Sequence, residues 1–227
     1  MVLPSEVPVM TLPNAILFPQ VMLPLFIFEP RYRKMLRDVL DSHRLFAVAM
    51  QRPNSTKGTP SNIAGLGLVR AAVTHKDGTS HLILQGVARI ALTATTKQRP
   101  YRLEKFQMLE TKRTNSLAVD ALTEKVLDLV TERFKQGFPF PILNQLLKMD
   151  AQGEKTSGTG ASLDTIIDYL GKLENPDQLA DLVSCTLLSV PTQRQLILET
   201  VDLETRLKHL IHFLMAEVRR QRNTENL

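Results

Sequence analysis

Three observations predict an α+β protein, with a β-rich first half followed by a helical second half. Apolar residues recur at strand-like spacing up to about Asn115 and at helical spacing after it. Asp77-Gly78 lies between two β-rich runs, a hairpin signature, because glycine accepts the positive φ such a turn requires. The charge changes at the same place. Residues 1–115 carry 16 Lys and Arg against 7 Asp and Glu, and residues 116–227 carry 12 against 16, so +9 meets −4 within a net +5. We therefore expect two subdomains, 1–115 and 116–227.

The elements follow in order. Val9 to Leu12 and Leu23 to Phe28 read as short strands broken by Pro13, Pro19, Pro24 and Pro30, a proline density suited to edges and barrel corners. Tyr32, Met35, Leu36, Val39 and Leu40 form one face of a helix. Glu29 stands at its start, where the helix dipole favours a carboxylate, and Pro30 takes the tolerated first turn. Leu45 to Met50 reads as a buried strand, Leu66 to His75 and His81 to Ile90 as the hairpin, and Tyr101 to Leu109 as the closing strand. The apolar positions of that last run change parity between Leu103 and Phe106, which predicts a bulge near Glu104–Lys105.

A long helix is expected through Leu122, Val126, Leu129, Val130 and Phe134, ended by Gln136-Gly137-Phe138-Pro139, with a shorter helical segment to Met149 and a polar loop over 150–161. Helices resume at Leu163 and again after Asn175-Pro176, read as N-cap and first turn. Thr192 and Gln195 have the spacing of a capping box, and Leu203 to Val218 make the last helix.

Composition narrows the function. The longest early apolar stretch, Val21 to Phe28, is far short of the ~20 residues that span a bilayer. The first residues lack the basic and apolar parts of a secretory signal, and a lone Cys185 can form neither an internal disulfide nor a cysteine-rich zinc site. A cytoplasmic protein without a membrane partner is the expectation.

No catalytic set assembles. Gly153-Glu-Lys-Thr-Ser-Gly lacks the Gly-Lys step of a phosphate loop, and Gly65-Leu-Gly67 precedes a strand rather than a helix. No G-x-S-x-G or H-E-x-x-H occurs, and Cys185 reads as a structural thiol. His209 and His212 share a helix face without a third ligand, and His75, His81 and Asp77 read as polar residues around a turn. Neither cofactor nor metal is expected. Phe18, Leu23, Phe26 and Phe28 read mostly as core, although the prolines among them leave an edge to which an extended peptide can add. Arg31, Arg33, Lys34 and Arg37 crowd the first helix, as a solvated face or as a basic patch for acidic peptides or nucleic acid.

The stretch from Leu12 to Met35, and Phe28-Glu-Pro-Arg-Tyr-Arg33 within it, resembles the opening signature of the Lon protease N-terminal, substrate-binding domain, including stand-alone versions in ring-finger Lon proteins and, more distantly, cereblon. Gly86-Val-Ala-Arg89, Pro176 to Leu182 and Gln195 to Leu207 are similar to later parts of that pattern. The resemblance covers roughly 7–222 and implies a PUA-like β pseudo-barrel followed by an α-helical bundle. It departs at Gln20, where the family usually has glycine, so the turn there is expected to change.

The resemblance further implies a non-catalytic module of the peptidase S16 family that binds unfolded or degron-bearing protein segments. It would act as an adaptor for a Lon-type or other ATP-dependent protease, with weak self-association and without hydrolysing peptide or ATP itself. Phe18, Pro19, Gln20, Arg31 and Tyr32 are its candidate binding residues. Nucleic-acid binding through the basic half is the alternative, and a small-molecule pocket by analogy with cereblon ranks last.

Overall fold

The computed structural model describes residues 3–55, 58–112, 116–135, 163–173 and 175–225. Two compact units divide the chain, Met1–Glu110 and Thr111–Leu227. The expected helical segment to Met149 and the loop over 150–161 lie outside the described residues.

The first unit contains β1 (Glu6–Leu12), β2 (Met22–Ile27), α1 (Pro30–Leu40), β3 (Leu45–Met50), β4 (Ile63–Thr74), β5 (Ser80–Lys97) and β6 (Arg102–Leu109). The sheet order is β2-β5-β4-β3-β1-β6, and β6 also pairs with β5. Strands β1, β3, β4, β5 and β6 therefore close into a ring, and β2 is added on the outside of β5. This closure depends on the 18 residues of β5. Its first part, Ser80 to Gln85, pairs with β2, and its last part, Arg89 to Lys97, pairs with β6. The strand runs beyond the expected end at Ile90, where the apolar alternation fades. The Thr-rich continuation is held by its ladder to β6.

Two cores lie on opposite faces of the ring strands. Val7, Val9, Leu45, Ala47, Ala49, Ala64, Leu66 and Ile90 fill the inside, where alanines suit the narrow bore. Met10, Phe46, Val48, Leu82 and Leu84 face outward against α1, which contributes Tyr32, Met35, Leu36 and Val39. β1 and β3 are parallel, so the chain between them must cross over, and α1 is the part of that crossover packed on the sheet.

The parity change in β6 has the same origin. Leu103 packs against the outer core and Phe106 against the inner one, so the strand serves both faces without a bulge of its own. The register shifts lie opposite it, between Leu92 and Ala94 and between Thr95 and Lys97 of β5, so the extra residues belong to β5 and not to Glu104–Lys105.

The loop from Pro13 to Val21 rests directly on two strand glycines. A Cβ on Gly65 would stand 1.9 Å from the Leu17 carbonyl oxygen, and one on Gly86 1.9 Å from that of Phe18. The Gln20 N–H donates to the Gly86 carbonyl and the Gly86 N–H to the Val21 carbonyl, each at 2.9 Å.

The second unit contains α2 (Ser116–Lys135), α3 (Leu163–Gly171), α4 (Pro176–Leu187), α5 (Pro191–Glu199) and α6 (Leu203–Glu225). Asn175 caps α4 by accepting the Asp177 N–H at 3.1 Å. The expected capping box at Thr192 does not form. Pro191 occupies the first turn of α5, which makes Val190 the N-cap and places Thr192 inside the helix. The core is built from Val126, Leu129 and Val130 of α2, Leu179 and Val183 of α4, and Leu207, Leu210 and Leu214 of α6. The guanidinium of Arg206 is fully buried. It pairs with Asp177 at 2.9 Å and Asp181 at 3.8 Å, and donates to the Thr200 carbonyl at 2.7 Å.

Candidate functional site

The five residues singled out from the sequence fall in two places. Phe18 is fully buried, Pro19 is half-buried, and Gln20 is exposed. Gln20 takes φ 66°, so the left-handed turn is kept although the residue is not glycine. Arg31 and Tyr32 begin α1. Arg31 pairs with Glu29 at 2.8 Å and lies 4.5 Å over the Tyr32 ring, while the buried Tyr32 hydroxyl accepts the Thr11 N–H at 3.1 Å. Burial pushes the Tyr32 hydroxyl pKa up. Glu29 precedes the helix as expected but makes no cap hydrogen bond; its carboxylate goes to Arg31. Arg33 holds the hairpin tip by donating to the Asp77 carbonyl at 2.9 Å, and Lys34 pairs with Asp38 at 3.2 Å.

A different feature of the first unit has the character of a binding surface. In β2, Leu23, Leu25 and Ile27 turn toward the outer core, so Pro24 and Phe26 must turn away. The register places Phe26 beside His81 and His81 beside Val73, then Pro24 beside Ile83 and Ile83 beside Ala71. These six side chains line an apolar groove of about 400 Å³ on the face of β2, β5 and β4 opposite the α1-packed core. Phe26 is 49% exposed, Val73 62%, Ile83 38% and the neighbouring Phe28 60%. The reading of Phe26 and Phe28 as core is thus corrected, since strand alternation puts Phe26 on the face opposite Ile27. Period-two counting from Ile27 would have found it.

The groove has a polar end. His75 and His81 approach through Nε2 and Nδ1 at 2.8 Å, and the His81 ring lies 4.7 Å from that of Phe26. Asp77 accepts from the Thr79 N–H at 2.9 Å and hydroxyl at 2.7 Å, which holds its carboxyl below the usual range. Among the described residues no three His, Cys, Asp or Glu converge on a metal position. β2 pairs only with β5 among the described residues, so its other edge carries no strand, and Pro24 has no N–H to offer there.

In the second unit, His209 lies beside Thr200 and Phe213 on α6. Cys185 lies on α4, and burial pushes its thiol up to about 11, a poor setting for a nucleophile. No described helix is long and apolar enough to cross a membrane.

The family model of the ATP-dependent protease La (LON) substrate-binding domain matches residues 6–216. The chain belongs to that family. Among curated Lon proteases, that of Desulfosudis oleivorans is 28% identical over 211 residues, covering 91% of this chain and 23% of its own length. That of Dictyoglomus thermophilum is 22% identical over 219 residues, covering 95% and 25%. The chain thus spans about a quarter of the length of these relatives. The N-terminal domain of the Mycobacterium avium complex Lon protease superposes with a TM-score of 0.66 at 18% identity, covering 92% of this chain and 98% of that one. The Lon N-terminal domain protein from Xanthomonas campestris gives 0.56 at 16%, covering 92% and 99%. A β-rich unit followed by helices is the Lon N-terminal fold, and the apolar groove lies on its β-rich part.

Proposed function

We propose that this chain is a non-catalytic recognition module that holds apolar segments of unfolded or degron-bearing polypeptides in the groove on β2, β5 and β4. In this reading it works in the cytoplasm and passes its clients to an ATP-dependent protease of the Lon type. The observation that carries the proposal is the cluster of half-exposed Phe26, Val73 and Ile83 on strands β2, β4 and β5, with the neighbouring Phe28. An exposed apolar patch of this kind marks an interaction surface, and an apolar segment lying in it gains side-chain burial.

The test is binding of a fluorescently labelled, chemically unfolded protein, followed by anisotropy. Burying the exposed half of one such side chain contributes about 1 kcal/mol, so Phe26→Ser with Val73→Ser is expected to weaken binding about tenfold or more. Undiminished binding by the double variant refutes the location. Binding that instead falls steeply with salt points to the charge-based alternative, nucleic-acid-like recognition by the basic half. Incubation with casein and ATP is expected to leave both intact.

A further inference from the structure

A second, chemically opposite cavity lies in the first unit. It measures about 150 Å³ and is lined by Thr11, Arg31, Tyr32, Gln98, Arg99 and Arg102 among others, with no carboxylate among the described residues of its wall. We propose that it binds a single compact oxyanion, a phosphate or a carboxylate group.

The case rests on the donors. A guanidinium carries five N–H donors and no acceptor. Arg31 commits Nε and Nη2 to Glu29. Arg102 commits Nη1 to Glu104 at 2.9 Å and Thr95 at 3.0 Å. Its remaining nitrogens, Nη1 of Arg31 and the whole fork of Arg99 donate to no protein acceptor among the described residues. Glu29 and Glu104 offset two of the three positive charges, and Arg99 is left over. Three arginines line one small polar cavity, their charge is offset by only two carboxylates, and Arg forks match oxyanion geometry. The reach of this charge is visible at Tyr32, where Arg31 and Arg102 both oppose the upward push of burial on the hydroxyl. The volume has room for one phosphate or carboxylate. This inference is independent of the polypeptide reading, because the apolar groove is lined by a separate set of residues.

Calorimetric titration of the full chain at constant ionic strength, with inorganic phosphate and with acetate as separate probes, tests it. Saturable binding of at least one probe is expected, with Kd on the order of 1 mM. Arg99→Ala is expected to weaken it about tenfold or more. Arg70→Ala, which removes an exposed cation of β4 outside the cavity, is expected to leave it unchanged. A tripeptide with a free C-terminus, compared with its amide, separates the two sources. Tighter binding of the free acid identifies a polypeptide terminus as the ligand, and equal binding identifies a free anion. Circular dichroism checks that Arg99→Ala is folded. The proposal is overturned if neither probe saturates, if Arg99→Ala binds as wild type, or if Arg70→Ala loses as much.

Discussion

Replacing Gly86 with alanine is the most direct test of how the first unit holds together. The new Cβ would lie 1.9 Å from the Phe18 carbonyl oxygen and 2.8 Å from its carbon. Both obstacles are backbone, so no rotamer change relieves them, and the Leu17–Gln20 loop must lift by at least about 1 Å to restore a 3.0 Å contact. That movement breaks or stretches the two 2.9 Å bonds joining Gln20 and Val21 to Gly86. Each contributes about 1 kcal/mol. It also loosens Leu17 and Phe18, both fully buried, which costs on the order of 1 kcal/mol more. Removing glycine's freedom from the unfolded chain returns about 0.5 kcal/mol. The net loss is about 2–3 kcal/mol, or roughly 10–20 °C in Tm for a unit of about 110 residues.

The assay is urea unfolding followed by tyrosine fluorescence, with no tryptophan to interfere and with Tyr32 and Tyr101 both in this unit. Gly58→Ala is the control. Gly58 has φ +62° but nothing within 4 Å of its added Cβ, so it reports backbone strain alone, about 1 kcal/mol. If Gly86→Ala costs no more than Gly58→Ala, the loop does not rest on the strand as described.

Four further outcomes are expected. Gln20→Gly should relieve the left-handed backbone at φ 66° and raise Tm for a gain of about 0.5 kcal/mol, whereas Gln20→Val should lose 1 kcal/mol or more. Arg206→Met should cost about 3–5 kcal/mol in denaturant unfolding followed at 222 nm, because it leaves Asp177 and Asp181 without their buried partner; Lys208→Ala, which removes an exposed pair with Glu204, should cost under about 0.5 kcal/mol. Tyr101 donates to Asp38 at 2.7 Å, which lowers the Asp38 pKa, while burial, helped by that hydrogen bond, pushes Tyr101 up to about 12. The Asp38 share of stability is present above the ordinary carboxylate pKa and lost as pH falls through the lowered one. The Tyr101 share is present below about pH 10 and lost as pH rises toward 12. Tyr101→Phe should therefore cost about 1 kcal/mol near pH 7 and flatten the stability profile at both ends. Finally, Cys185 should resist a thiol reagent at pH 8 in the folded protein and react on unfolding.

Local signals carried much of the fold and little of the site. Leu45–Met50 was legible to the residue because a run of six apolar residues is short for a helix and suits a strand buried on both faces, and Asp77-Gly78 announced its hairpin. The α1 face was equally plain from Tyr32, Met35, Leu36 and Val39. What failed did so for tertiary reasons. The end of β5 is defined by β6, which begins five residues later in sequence but supplies the ladder that Thr93 to Lys97 cannot supply themselves. The false bulge in β6 came from assuming one buried face where the ring has two. At the site, Phe26 was read as core because aromatic residues usually are, and only the pairing of Pro24 and Phe26 with Ile83 and His81 shows where they turn. Arg99 and Arg102 gave no signal at all, since their convergence with Arg31 spans some seventy residues of sequence.

The strand β5 explains why an apolar groove persists beside a well-filled core. Its residues alternate between two tasks: Leu82 and Leu84 seal the outer core, while His81 and Ile83 face the groove between them. A one-residue slip would exchange the two sets, yet the register cannot slip, because Gly86 is fixed under the Phe18 carbonyl and no other residue of the strand fits there. The loop from Pro13 to Val21 thus anchors the strand that lines the groove. That assignment also gives Pro24 a purpose. An exposed edge strand with apolar side chains is an aggregation hazard, and a proline in its middle removes a donor that a second copy would need, while the side-chain groove beside it stays open. Under the proposed function, the exposed Phe26 and Val73 suit a flexible chain that follows the groove, whereas a rigid strand from another folded copy meets a broken ladder.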